Sequence, residues 1–132
     1  PGAGAAGGTG AMLMALGASL RPGVEVVLEA LSFDDLLGRA DLVITGEGKL
    51  DRQTLGGKAP IGVANAAAAA GVPCAAVVGS SDIEPSEAGL AVVRSLVDHF
   101  GDPATAMAKA EAGLATLAAA MVRSFASARM RR

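Results

Sequence analysis

From Thr45 to Pro60 the chain reads TGEGKLDRQTLGGKAP, with four glycines, two carboxylates and three cations gathered between apolar flanks. Glu47 and Asp51 are oxygen donors of the kind Mg²⁺ takes beside substrate phosphates. Lys49 and Arg52 bring positive charge, and Gln53 and Thr54 add neutral donors. Gly46 and Gly48 allow a sharp turn that exposes backbone. Gly56, Gly57 and Lys58 then open an apolar-periodic segment, which sets backbone amides and an ammonium at a helix start, a common arrangement for phosphate. The pattern is not a Walker A loop: Arg52 stands where the first glycine belongs, and Ala59 follows the lysine in place of Ser or Thr. The competing reading is a solvated, charged surface loop, the commonest fate of such segments.

A second glycine-dense stretch, residues 1–10, formally matches GxGxxG through Gly2, Gly4 and Gly7, with Gly8 following. A dinucleotide site needs a strand just before the motif and an acidic residue at the end of a second strand. Here Glu25 and Glu29 fall in an expected helix, so an NAD-dependent oxidoreductase lacks its context. Two readings stay open: backbone amides held ready for an anion, or a tight turn onto a closely packed helix.

The elements around these stretches come from periodicity. Ala11–Leu16 reads as a helix ended near Gly17. Val24, Val27, Leu28 and Leu31 repeat at helical spacing, with Pro22 suited to the first turn. A short helix is expected at Asp34–Arg39. Asp41–Thr45 is short and β-branched, which suits a strand buried on both faces, and the loop 45–60 leaves its carboxyl end, where open α/β sheets gather ligands. A helix from Lys58 ends at Gly71, with Pro73 beyond, and Cys74–Val78 is a second buried strand. Ala91–Val97 reads as strand or short helix. Over 103–127, Asp102 can cap a last helix whose stripe Met107, Ala110, Leu114, Leu117, Met121 and Phe125 faces the core, and the terminal arginines Arg123, Arg129, Arg131 and Arg132 complement its C-terminus. Strand, helix, strand in sequence predicts an α/β fold, a parallel sheet flanked by helices in a Rossmann-like three-layer arrangement.

Composition narrows the function. At 132 residues the chain has the length of about one domain, and its net charge of −2 gives no case for nucleic acid or an anionic membrane. Trp and Tyr are absent, so base-stacking platforms are lacking as well. The single Cys74 opens an apolar run and reads as a buried, inert thiol; the single His99 reads as a solvated loop residue. Ile61–Gly79 carries no charge, but Gly71-Val72-Pro73 breaks it, so a helix, a turn and a strand explain it better than a membrane span. A cytoplasmic protein is expected.

Three stretches taken together, PGAGAAGG at Pro1–Gly8, ADLVITGEGKLDRQT at Ala40–Thr54 and GKAPIGVA at Gly57–Ala64, resemble the bacterial glycerate kinase family of glyoxylate and glucarate breakdown. The likeness runs through Gly71-Val72-Pro73 and fades after Gly79. It implies a two-domain α/β kinase that uses ATP and Mg²⁺ to phosphorylate D-glycerate, with 2-phosphoglycerate the favoured product. Gly46, Glu47, Gly48, Asp51, Gln53, Thr54, Gly57 and Lys58 match the signature loop, and Gly2, Gly4, Gly7 and Gly8 match the glycine-rich turn. Within it, Glu47 is expected to hold the metal, Asp51 to face the glycerate hydroxyl, and Lys58 with the Gly57 and Lys58 amides to hold a phosphate or the substrate carboxylate. Lys49 is expected to offset developing charge. The chain corresponds to the C-terminal part of such enzymes, and the Asp-Ser-Phe-Lys-Gly and Gly-Gly-Glu-Gly stretches of the amino-terminal part do not occur in it. A truncated piece of the enzyme is therefore expected. The alternatives are a nucleotide-binding module without turnover, or a remnant completed by a second copy or a complementary chain.

Overall fold

The computed structural model describes residues 2–131; Pro1, which opens the glycine-rich turn, and Arg132, last of the terminal arginines, lie outside them. A 3₁₀ turn at Ala5–Gly8 runs into α1 (Thr9–Ala15), then α2 (Gly23–Ala30) and α3 (Phe33–Leu37). Strands β1 (Val43–Thr45) and β2 (Lys49–Leu50) precede a 3₁₀ turn at Thr54–Gly56 and α4 (Ala59–Ala69). Then come β3 (Cys74–Val78), β4 (Ser80–Ser81), a 3₁₀ turn at Pro85–Ala88 and β5 (Val92–Ser95). The chain closes with α5 (Leu96–Phe100), α6 (Pro103–Ala108) and α7 (Ala110–Arg129).

The three-stranded sheet is parallel, in the order β1-β3-β5, with Ile44 opposite Ala75 and Ala76 opposite Val93. All of β3 is buried, and its alternating side chains divide two cores. Cys74, Ala76 and Val78 meet Ala64 and Ala67 of α4, together with Leu37, Leu50, Val72 and Leu90. Ala75 and Val77 point the other way, onto Met121, Leu117 and Ala118 of α7. One uncharged strand thus holds a helical layer on each side, the three-layer α/β arrangement expected.

Helix α4 forms where helix formers dominate. Pro60 sits in its first turn, the alanine run follows, and Gly71 at φ +70° ends it in the left-handed region that favours glycine. It lies close to α2, since a Cβ on Gly62 would meet both Val24 methyls at 2.5 Å.

Several expectations are corrected. β1 is an edge strand, not one buried on both faces, and Ile44 is exposed. Ala91–Val97 is both strand and helix: β5 hands over to α5 at Ser95, whose hydroxyl accepts from the Asp98 amide. His99 therefore lies on a short helix, edge-on to Phe100, rather than in a loop. The helix 103–127 is two helices, broken at Lys109 (φ −114°, ψ 24°). Asp102 does cap the first, accepting from the Thr105 amide at 2.8 Å. Only part of the predicted stripe reaches the core: Met121 is buried, while Met107 is 82% and Leu114 43% exposed. On α2, Val24 and Leu28 are half-buried, but Val27 and Leu31 face out. Among the described residues, no helix is long and apolar enough to cross a membrane.

Candidate active site

The loop after β1 is held by backbone. The Gly79 amide donates to the Glu47 carbonyl at 3.1 Å, Ser80 to Gly48 at 3.1 Å and Asp82 to Leu50 at 2.9 Å. These bonds zip Lys49–Leu50 parallel to Ser80–Ser81 as a small second sheet. The approach leaves no room for side chains at two glycines. A Cβ on Gly46 would lie 2.5 Å from the Val77 carbonyl oxygen, and one on Gly79 would run into the carbonyl of Gly48. Leu50, with no exposed surface, pins the segment to the core.

Thr54 is the hub of the turn that leads from β2 into α4. It has no exposed surface, and its hydroxyl donates to Glu47 Oε1 at 2.6 Å while accepting from the Asp51 amide at 3.2 Å. Asp51 Oδ1 accepts from the Gln53 amide at 2.9 Å and the Thr54 amide at 3.2 Å, and so closes the turn. Lys58 Nζ stands 4.0 Å from the same oxygen. Partial burial pushes the Asp51 carboxyl up, but the Thr54 and Gln53 amides, with the Lys58 and Lys49 charges, outweigh it and hold the group below its ordinary value. It is an ionised carboxylate at neutral pH.

Glu47, Asp51 and Lys58, placed together by sequence reasoning, are therefore brought together. Thr54 joins them differently than expected: it orients the two carboxylates from inside. The phosphate expected on the Gly57 and Lys58 amides finds both engaged, since each donates to the Thr54 carbonyl at 3.2 Å. Gly57 instead supplies a left-handed turn at φ +101°. Gln53 is exposed and contributes its amide to the turn. Lys49 is diverted: its ammonium pairs with Asp82 Oδ2 at 2.6 Å, and that hydrogen bond and charge hold it above its ordinary value. Sequence reasoning misses Asp82 because its approach depends on the β2–β4 pairing, which joins segments far apart in the chain. Cys74 is buried as expected, and burial raises its thiol pKa.

Gly2, Gly4, Gly7 and Gly8 do not join this cluster. Their turn packs chiefly on α1, no residue of either is buried, and neither large cleft is lined by them. Gly7 (φ +66°) and Gly8 (φ +97°) take the left-handed backbone that favours glycine, and lead onto a helix none of whose residues is buried.

Beside the loop, at the carboxyl ends of β1, β3 and β5, lies a cleft of about 660 Å³. Gly46–Gly48, Gly79 and Ser80 form one wall; Leu96, Val97, Met107 and Leu114 stand among the residues of the other. A smaller cleft of about 460 Å³ opens between α2, α3 and α4.

The Glu47 carboxylate, oriented by the Thr54 hydroxyl, fits a Mg²⁺ held partly by protein, its other positions being left to water and phosphate oxygens. Among the described residues, no group of three or more His, Cys, Asp or Glu side chains gathers as an all-protein cage.

Residues 1–126 match the family model "Glycerate kinase family". The chain is 62% identical over 81 residues to a glycerate kinase of Halalkalibacterium halodurans, covering 61% of this chain and 21% of that protein. It is 53% identical over 81 residues to glycerate 2-kinase of Escherichia coli K12, with the same coverage, 61% and 21%. To a glycerate kinase of Haemophilus influenzae it is 37% identical over 121 residues, 89% of this chain and 32% of that one. The chain thus spans between 21% and 32% of the length of these curated relatives. A crystal structure described as glycerate kinase 2 from Salmonella typhimurium LT2 superposes with a TM-score of 0.56 at 50% identity, over 71% of this chain and 24% of that one. With the family model covering nearly the whole chain and the signature loop intact, this chain belongs to the glycerate kinase family.

Proposed function

We propose that the chain carries the phosphoryl-transfer loop of an ATP-dependent kinase acting on D-glycerate, with 2-phosphoglycerate as product. The observation that carries this reading is the convergence of Glu47, Asp51 and Lys58 around Thr54 at the carboxyl end of β1, in a chain of this family. The name of the Escherichia coli relative, glycerate 2-kinase, favours the 2-hydroxyl. On this reading residues 1–132 form one part of a larger, two-domain cytoplasmic kinase.

The reaction needs position and charge rather than covalent help from the protein. The glycerate hydroxyl oxygen forms a bond to the γ-phosphorus as the bond to the ADP oxygen breaks, and the hydroxyl proton is released. Asp51, ionised and fixed by two amides, accepts a hydrogen bond from that hydroxyl and takes its proton as the bond forms. Glu47, oriented by Thr54, would hold a Mg²⁺ ion, which when bound would supply charge neutralisation on the phosphates. Lys58, half-exposed beside Asp51, draws the phosphate or the substrate carboxylate toward the loop. Lys49 reaches the substrate only by leaving Asp82. Gly46 lets the backbone approach the neighbouring strand closely, Gly48 pairs with Ser80, Gly57 turns the chain toward α4, and Gln53 closes the turn.

A specific observation favours completion by further protein. Met12, Leu13, Leu16 and Leu20 are exposed together near α1, a surface that the rest of a family-length chain, or a second copy, would cover.

The test is turnover of ATP and D-glycerate with Mg²⁺, by this chain and by a form extended to the length of its relatives. Activity is expected in the long form, reduced at least a hundredfold by Asp51→Asn. Turnover within a few-fold of wild type would remove Asp51 from the proton transfer, and an inactive, folded long form would sink the kinase reading.

A further inference from the structure

Resting on the kinase reading, we infer that the cleft beside the loop takes the heteroaromatic base of the nucleotide, with its phosphates leading out toward Glu47, Thr54, Asp51 and Lys58. Its volume, about 660 Å³, falls in the range of small-molecule sites. Its position outside the carboxyl ends of three parallel strands is where such sheets hold ligands.

The lining chooses between the two substrates. Among the described residues, Glu47 is the one charged residue on it, and the rest is backbone, Ser80 and apolar side chains. A small hydroxycarboxylate has no apolar face to offer such a lining. A neutral, flat ring suits it. Met107 and Leu114 hold large apolar side chains 82% and 43% exposed on the α6–α7 wall, surface that a base would cover. Methionine thioethers pack well against aromatic rings. The opposite wall presents the backbone of Gly46–Gly48 and Gly79. Glu47 belongs both to this lining and to the Thr54 cluster, so cleft and loop are continuous.

The chain has no Trp or Tyr, so Met107→Trp installs a single indole on the cleft wall at an exposed position. Titration of that variant with adenosine, ADP, tripolyphosphate and D-glycerate reads the site directly. Saturable quenching by adenosine and ADP, and none by tripolyphosphate or glycerate, is expected. In the long form, Leu114→Asp is expected to raise the KM for ATP at least tenfold and leave the KM for D-glycerate unchanged. An active long form whose ATP KM ignores Leu114→Asp would overturn the inference and leave the kinase reading standing. The inference also falls if the indole in the long form emits as a buried group without nucleotide and does not respond to it, since protein then fills the cleft. Adenosine binding at the indole with no turnover by the long form would support the base site and sink the kinase reading instead.

Discussion

Two glycine-rich stretches of this chain run into helices, and they end in opposite conditions. Around Gly46–Gly48 the backbone is pressed against the exits of neighbouring strands, pinned by Leu50 and Thr54, and bonded along its length to residues 79–82. Around Gly4–Gly8 nothing is buried, and a Cβ on Gly4, Gly7 or Gly8 would meet nothing within 4 Å. Glycine serves close approach at Gly46, and left-handed turning at Gly7 and Gly8. Glycine density alone therefore does not locate a site.

The most severe challenge to this contrast is Gly79→Ala. Its methyl group would strike the Gly48 carbonyl, which is backbone and cannot swing aside, so a loss of about 3 kcal/mol is expected in urea unfolding. Gly4→Ala, at an ordinary helical φ of −81°, should stay within about 0.5 kcal/mol of wild type. Equal costs at the two positions would dissolve the distinction.

Next comes Thr54→Val, which keeps the shape and removes the hydroxyl that orients Glu47 and accepts from Asp51. A buried polar partner lost in this way costs about 2 kcal/mol. Thr54→Ser, which restores the oxygen, should recover more than half of that in the same melts. If serine does no better than valine, packing and not the hydroxyl holds the loop.

Acid separates the two stretches further, because only the first carries a perturbed carboxylate. The Asp51 carboxyl lies below its ordinary value of 3.8, so the unfolded chain takes up that proton first as pH falls. Its contribution to stability is therefore complete above the ordinary carboxylate range and is lost as pH drops through the lower, folded value. Wild type and Asp51→Asn should differ by a constant amount from about pH 5 to 7 and converge below about pH 4. A gap that persists unchanged to about pH 2 would show that the carboxylate charge is not what closes the turn.

The mildest change is expected in the other stretch. Ala6 adopts φ 50°, ψ 45°, which costs a residue with a Cβ about 1 kcal/mol. Ala6→Gly should raise the melting temperature slightly, and a lowered one would mean that the turn is held by more than its backbone.

Much of the fold was legible. An uncharged β-branched run, an alanine-rich helix stopped by Gly71 and Pro73, and a second buried strand predict a parallel three-layer unit, because those signals are local and periodic. The break at Lys109 was not legible, since the apolar stripe continues across it; the stripe reads as core throughout, whereas Met107 and Leu114 line a cleft. Periodicity reports which residues share a face and says nothing of what that face meets.

The candidate site divides along the same line. Residue types and spacing established that carboxylates, cations and glycines leave one strand end together, and motif likeness established the family. Tertiary structure alone turned Lys49 to Asp82, whereas the bonds of Thr54 to Asp51 and to the Gly57 and Lys58 amides are local turn geometry that residue types do not spell out. The Lys49–Asp82 pair depends on the pairing of Lys49–Leu50 with Ser80–Ser81, a contact between distant segments whose register no local preference encodes.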